Sequence, residues 1–361
     1  GILVQYPDNK GMIRDYRQMA EKAHAGNLPV AVVADILSLT LLVPPGEWGA
    51  DVAVGSTQRL GIPMGYGGPH AAYFATRESY KRFMPGRIIG VTVDAKGRYA
   101  LRMALQTREQ HIKRERATSN ICTAQALLAT MAGMYAIYHG SDGLKSIALN
   151  IHSKAAMLSH KLESLGFKQY NTDFFDTLHI GLPEDVSVEA VKSFAADHEI
   201  NFRYFSDNSI GISIDETTTL TELNKIIEVF LCAIHKYIKP VEKIEEKIFF
   251  NDVFKRRTEF MKQEIFRRYH AETEMMRYIK RLERKDISLT HSMIPLGSCT
   301  MKLTAAVEMF ALGWPEFSNI HPFVPLDQVE GYHQLINELE HFLKEITGFA
   351  AVSFQPNSGA A

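Results

Sequence analysis

Short apolar runs alternate with one helical stretch across the first 75 residues, and this alternation constrains the fold more than any other feature. The runs begin at Gly1, Val30, Asp51 and Ala71, and a helix-forming segment from about Met12 to Ala25 separates the first two. Strands that alternate with helices predict a mainly parallel sheet with both faces covered. The sequence therefore predicts an α/β fold.

The remaining chain carries further predicted elements. A hairpin, Ile88–Val93 with Tyr99–Met103, turns at Asp94–Gly97, and residues 143–238 follow the order of a compact α+β domain. The predicted helices are Arg77–Met84, Ile121–Ile137 with a stop at His139–Gly143, Gly143–Leu165, Val188–Asp197, Leu220–Ile238, Glu259–Ile265, Ala271–Arg284 and Leu326–Thr347. The predicted strands are Thr177–Ile180, Ile200–Phe205, Ile210–Ile214 and Ala350–Phe354.

Charge and cysteine content exclude several classes of protein. The chain has 40 basic and 41 acidic residues, a formal net charge of -1, so we expect no nucleic-acid partner. No apolar run approaches the roughly 18 residues of a spanning helix, so we expect no membrane partner. Three scattered cysteines, Cys122, Cys232 and Cys299, indicate a reducing compartment. Because the histidines lack ligand spacing, we predict no metal site.

Two side chains follow predicted strand ends, where α/β proteins place functional groups. Asp35 comes directly after Val30–Ala34, and Gln58 follows the strand that begins at Asp51. Asp35 also fits a helix N-cap or an ordinary loop aspartate. The stretch around Gln58 also fits two strands joined by a glycine-rich turn without any chemistry. The residues alone leave these alternatives open.

Longer strings are specific enough to indicate a family. They are Gly67-Gly-Pro-His-Ala, Leu105-Gln-Thr-Arg-Glu-Gln-His, Ala117-Thr-Ser-Asn-Ile-Cys-Thr-Ala-Gln, His291-Ser-Met-Ile-Pro-Leu-Gly-Ser-Cys-Thr-Met-Lys, Asn319-Ile-His-Pro-Phe-Val-Pro and Phe354-Gln-Pro-Asn-Ser-Gly. Together, along the whole chain, they closely resemble the P-protein of the glycine cleavage system, glycine dehydrogenase (decarboxylating). The resemblance implies the aspartate-aminotransferase-like α/β fold of pyridoxal 5'-phosphate-dependent transferases (fold type I), with an α+β small domain, present here in part.

Members of that family resemble two tandem copies of this fold, a degenerate first copy and a catalytic second copy. On that plan, residues 1–144 belong to the large domain of the first copy and 145–240 to its small α+β domain. Residues 241–285 are connector helices, and 286–361 begin the catalytic copy. Both ends of the chain read as cut from a longer chain.

The resemblance places Gln58 where the catalytic copy carries the lysine that binds the cofactor. A glutamine amide shares its nitrogen lone pair with its carbonyl and forms no Schiff base. We therefore expect no catalytic residue within the chain and expect the cofactor lysine beyond Ala361. Asp35 falls near the aspartate that contacts the cofactor ring nitrogen, and we interpret it as retained geometry.

Other implied site residues lie towards the end of the chain. Ser358, Gly359 and Ala360 are expected to belong to the phosphate cradle of the cofactor. Because Ala361 departs from the family pattern, we expect that cradle to be incomplete and this chain not to bind the cofactor. The implied site-lining residues are Ser298, Thr300, Lys302, Thr118, Ser119 and Asn120. Lys302 also fits an ordinary surface lysine.

The implied function belongs to the full-length protein, and the isolated chain is expected to be inactive. That function is release of carbon dioxide from glycine and transfer of the aminomethyl group to the lipoyl arm of H-protein. Two alternatives are a non-catalytic half that holds the catalytic half or docks H-protein, and another pyridoxal-phosphate enzyme of this fold, such as a desulfurase. The implied partners are glycine, lipoylated H-protein and a second P-protein copy or subunit, in a homodimer or two-subunit tetramer. The compartment is the cytoplasm in a bacterium and the mitochondrial matrix in a eukaryote.

Overall fold

The computed structural model of the protein describes residues 1–117, 126–285 and 305–355. The chain divides into two compact units. Unit 1 contains Gly1–Gly61, Ala71–Ser79 and Ala129–Met275, and unit 2 contains Ile62–His70, Tyr80–Leu128 and Met276–Ala361. The domain boundaries at residues 144, 240 and 285 stay predictions.

The first sheet lies in unit 1 and has the order β1-β2-β3-β4. Its elements are β1 (Ile2–Tyr6), α1 (Arg17–Ala25), β2 (Val30–Ala34), β3 (Val52–Ser56) and β4 (Ala72–Thr76). Strands β1 to β3 run parallel, as predicted, and β4 pairs antiparallel to β3. In β2 the alternate residues Val30 and Val32 are buried, whereas Val33 on the opposite face is 37% exposed, so the prediction that both faces of the sheet are covered is not met at this strand.

A two-stranded hairpin lies in unit 2 and consists of β5 (Ile88–Val93) and β6 (Tyr99–Ala104). Asp94 closes the turn by accepting the N–H groups of Lys96 and Arg98. The short helix α2 (Gln110–Lys113) follows. The hairpin confirms the prediction from alternating apolar residues and the Asp94–Gly97 turn.

Helix α3 (Ala126–Ser164) consists of two helical segments that meet at Gly140, inside the predicted stop His139–Gly143. Gly140 has a φ of 63° and a ψ of -174°, so the helix kinks there and then resumes. The predicted stop between two helices, at His139–Gly143, is therefore confirmed by the non-helical backbone of Gly140. Leu144, Ile151 and Leu158 follow the kink on one buried face.

The second sheet also lies in unit 1, is antiparallel and has the order β7-β8-β10-β9. Its elements are β7 (Lys168–Gln169), β8 (Thr177–Gly181), α4 (Val188–Asp197), β9 (Arg203–Phe205), β10 (Ser209–Ser213) and α5 (Leu220–Ala233). Ser187 caps α4, and Thr219 with Glu222 forms a capping box on α5. The two helices cover the sheet over a core that includes Phe167 and Phe230, whose ring centroids lie 4.9 Å apart.

The remaining helices are α6 (Glu272–Glu283), α7 (Ala306–Phe310), α8 (Pro315–Ser318) and α9 (Glu330–Thr347). Three predictions are wrong. Residues Glu78–Tyr80 and Glu264–Arg267 form only short 3-10 turns in place of the helices predicted nearby, and Ala350–Phe354 is not a strand. Among the described residues, no helix is both long and apolar enough to cross a membrane.

Candidate functional site

The turn after β3 places Gln58 and Arg59 at the end of the first sheet. Thr57 donates its N–H to the Ala71 carbonyl oxygen at 2.8 Å, and Gln58 donates its N–H to Ser56 Oγ at 3.0 Å. Thr57 is buried, whereas Gln58 and Arg59 are half-buried. These hydrogen bonds fix the backbone position of Gln58 and Arg59 at the end of β3.

Strand β4 brings a tyrosine hydroxyl to the same edge. Tyr73 Oη donates to the Ala34 carbonyl oxygen at 2.8 Å. Burial, followed by the neighbouring Asp35 carboxylate, raises the pKa of Tyr73 to about 12. Gly55 leaves room for this ring, because an added Cβ would overlap the Ala34 carbonyl oxygen and lie 2.7 Å from Tyr73 Cε1.

Asp35 lies directly after β2, as the sequence predicted. Its Oδ1 accepts the Leu37 N–H at 3.0 Å, and its carbonyl oxygen accepts the Ser38 hydroxyl at 2.8 Å. The bond from the Leu37 N–H to Oδ1 forms an Asx turn, so this carboxylate oxygen has the local role of an ordinary loop aspartate. The other oxygen, Oδ2, lies 3.9 Å from Arg59 Nε.

Arg59 connects this edge to the start of β8 within unit 1. Its Nη1 donates to Asp176 Oδ2 at 2.8 Å, and its guanidinium carbon lies 5.8 Å from the centroid of the Phe175 ring. His152 holds the backbone at Phe175, since its Nδ1 contacts the Phe175 carbonyl oxygen at 2.8 Å. We call Asp35, Arg59 and Asp176 the carboxylate–arginine cluster.

The charges of the carboxylate–arginine cluster are unequal. Burial opposes ionisation of Arg59, but Asp176 and then Asp35 raise its pKa, so the guanidinium stays charged. Burial raises the pKa of Asp35; Arg59 acts in the opposite direction, and Asp176 adds to the rise. One guanidinium thus balances two carboxylates, and the closer contact goes to Asp176.

Most of the predicted site residues lie outside the described residues. They are Thr118, Ser119, Asn120, Ser298, Thr300, Lys302, Ser358, Gly359 and Ala360. Gln58 is described, and the structure places it beside Arg59 at the end of β3. The roles predicted for all of these residues stay predictions.

Sequence reasoning missed Arg59 and Asp176 as members of one site. Arg59 was visible as the neighbour of Gln58, but its partner lies 117 positions further along the chain. No local spacing connects residues so far apart. The sequence offers one signal: Asp176 directly precedes the predicted strand Thr177–Ile180, and functional residues often lie near strand ends.

Comparison with known proteins identifies the family. Residues 1–230 match the family model described as glycine cleavage system P-protein. The chain belongs to this family. A glycine dehydrogenase (decarboxylating) of Bacteroides thetaiotaomicron is 58% identical over 359 residues, which are 99% of this chain and 38% of that protein. Its counterpart from Nostoc punctiforme is 55% identical over 367 residues, covering 100% of this chain and 37% of that protein. The chain therefore spans less than half the length of these relatives.

A solved structure supports the fold. The crystal structure of glycine decarboxylase (P-protein) of the glycine cleavage system, in an inhibitor-bound form, matches with a TM-score of 0.58 and 37% sequence identity. The match covers 63% of this chain and 55% of that chain. The predicted fold class, the α/β fold of the pyridoxal-phosphate-dependent type I enzymes, is confirmed.

Pyridoxal phosphate does not fit the carboxylate–arginine cluster. A Schiff base with this cofactor requires a lysine amine, whereas Gln58, Arg59 and the two aspartates supply an amide, a guanidinium and carboxylates. Asp35 already faces a cation of the protein itself. No cofactor chemistry therefore follows from this edge of the first sheet.

Proposed function

We propose that this chain is part of a glycine dehydrogenase (decarboxylating). The full-length protein releases carbon dioxide from glycine and transfers the aminomethyl group to the lipoyl arm of H-protein. Identities of 55–58% across the whole chain support this proposal. Pyridoxal phosphate supplies the electron sink for such decarboxylations, and its lysine belongs to the part of the full-length protein beyond Ala361.

The observation that carries the role of this chain is the chemistry of its first sheet edge. Gln58 and the carboxylate–arginine cluster hold no amine for a Schiff base, and Arg59 is ion-paired. The isolated chain is therefore inactive as a decarboxylase. Ser358, Gly359 and Ala360 serve the cofactor phosphate only in the full-length protein, and Ser298, Thr300, Lys302, Thr118, Ser119 and Asn120 line its active site.

The partners follow from the same proposal. They are glycine, lipoylated H-protein and a second P-protein copy or subunit, in a homodimer or a two-subunit tetramer. The relatives named above are bacterial, which supports the cytoplasm as the compartment.

Exchange of labelled carbon dioxide into glycine tests the proposal. We expect exchange from the full-length protein with pyridoxal phosphate and lipoylated H-protein, and none from the 361-residue chain under the same conditions. In the full-length protein, Gln58→Ala is expected to leave the exchange rate within about twofold, because this side chain takes no part in the chemistry. Exchange by the isolated chain would contradict the assignment, and so would loss of exchange in a folded Gln58→Ala protein.

A second function, binding without catalysis, is favoured by the same ion-paired edge. Because its own side chains occupy the end of the first sheet, the chain would serve its partner as a rigid binding surface. We expect the isolated chain to co-purify with the separately expressed remainder of the full-length protein or with H-protein. Failure to bind either partner at micromolar concentrations would argue against this role.

A further inference from the structure

We propose that Arg59 serves as an internal cation for Asp35 and thereby prevents a cofactor from binding where β2 and β3 end. A lysine restored at position 58 would then still not create a pyridoxal site. This role of Arg59 does not depend on whether the full-length protein acts on glycine.

Asp35 already faces groups of the protein on both of its carboxylate oxygens. One of its oxygens accepts the Leu37 N–H at 3.0 Å, and the other lies 3.9 Å from Arg59 Nε. A pyridine ring that used Asp35 would have to bring its protonated nitrogen within about 3 Å of the second oxygen. That nitrogen would then lie close to a guanidinium of the same charge. In a half-buried site, such a pair of like charges is strongly unfavourable.

Arg59 is held in place by an ion pair and an aromatic ring. Its Nη1 bonds Asp176 at 2.8 Å, and its guanidinium lies over the Phe175 ring. Only 22% of the Arg59 side chain and 12% of the Asp176 side chain are exposed, so solvent screens this ion pair less than a surface pair. Movement of Arg59 towards solvent would leave both carboxylates without their shared cation.

A second arginine at the first sheet, Arg77, pairs with a different carboxylate. Arg77 follows β4, contacts Asp51 Oδ1 at 3.3 Å and is 48% exposed. It also donates to the carbonyl oxygens of Ala50 and Gly49. Arg77 thus resembles Arg59 in pairing with a buried carboxylate but does not contact Asp35, which makes it a matched control.

The test uses Gln58→Lys alone and combined with Arg59→Ala, Arg59→Lys or Arg77→Ala. Each folded protein is treated with pyridoxal, which needs no phosphate cradle, and then with borohydride. Peptide mass spectrometry quantifies the adduct at position 58. We expect at least about tenfold more adduct in Gln58→Lys/Arg59→Ala than in Gln58→Lys alone. Gln58→Lys/Arg59→Lys and Gln58→Lys/Arg77→Ala are expected to give the same amount of adduct as Gln58→Lys alone.

Two further variants separate opening of the site from simple unfolding. Adding Asp35→Asn to Gln58→Lys/Arg59→Ala is expected to abolish the gain, because the pyridine nitrogen then has no carboxylate to pair with. Local unfolding alone would preserve the gain. Should Arg59→Ala not fold, Arg59→Met keeps the apolar stem and carries the same comparison. Equal labelling with and without Arg59, no labelling in either protein, or a gain that survives Asp35→Asn would overturn the proposal.

Discussion

Asp35 shows how the position of one residue controls its charge. The Arg59 guanidinium lies 2.8 Å from Asp176 but 3.9 Å from Asp35, so Asp35 receives the weaker share of a single cation. Burial therefore dominates and raises the pKa of Asp35 above its ordinary value of 3.8. Neighbouring side chains of the protein itself thus occupy this edge of the sheet.

The pH dependence of stability tests the state of Asp35. Below pH 3.8 the carboxyl is protonated in both states, and as the pH rises the unfolded chain ionises first. The stability that Asp35 contributes is therefore lost as the pH rises through its raised folded pKa. We compare the unfolding free energy of the wild type with that of Asp35→Asn. As the pH rises, the wild-type value minus the variant value is expected to fall by about 1.4 kcal/mol for each unit by which the folded pKa of Asp35 exceeds its unfolded pKa. Urea denaturation from about pH 4 to pH 7 measures it.

Asp51→Asn provides a control of opposite sign. Burial opposes ionisation of Asp51, but the Val30 N–H and His24 outweigh it and lower its pKa. Its contribution is therefore present above pH 3.8 and is lost as the pH falls through the lowered pKa. A difference between wild type and Asp35→Asn that stays constant with pH, or rises as for Asp51, would contradict the raised pKa of Asp35.

At the scale of elements, local pattern predicted structure well where neighbours within a few residues decide it. The hairpin strand Ile88–Val93 and the helix Val188–Asp197 have the predicted bounds, because turn chemistry and capping are local. Prediction failed where distant contacts decide. Ala350–Phe354 has strand composition but no ladder partner among the described residues, and no spacing pairs Arg59 with Asp176.

Helix α3 gives the sharpest test at this scale. Gly140 combines positive φ with extended ψ, a conformation almost confined to glycine, and an added Cβ would overlap the Phe266 carbonyl oxygen. We expect Gly140→Ala to lower the unfolding free energy by about 1–3 kcal/mol. Chemical denaturation of the isolated chain measures this loss.

Gly133→Ala is the matched control on the same helix. Gly133 is exposed, has no atom within 4 Å of an added Cβ and has ordinary helical geometry. We expect a gain of about 0.5–1 kcal/mol from reduced freedom of the unfolded chain. If both alanine variants were equally stable, the kink at Gly140 would not depend on its glycine.

At the scale of the whole molecule, the hairpin in unit 2 exposes an apolar face. Val91 pairs with Leu101, and Val93 pairs with Tyr99, directly across the two strands. Five residues of the hairpin are each between 57% and 72% exposed: Ile89, Val91, Val93, Tyr99 and Leu101. Cross-strand partners share one face, so these residues form a contiguous patch of the kind that mediates association.

The exposed patch predicts that the isolated chain self-associates. We expect Val91→Thr combined with Leu101→Thr to shift the chain towards monomer in sedimentation velocity, because threonine keeps strand propensity and adds a hydroxyl to each side of the pair. Leu3→Thr is the control, since Leu3 is 69% exposed but lies on β1, away from the hairpin sequence. Scattered exposed apolar residues contribute little to association, so this control is expected to behave as the wild type. If Leu3→Thr dissociated the chain as effectively as the hairpin variant, the association would not depend on the hairpin face.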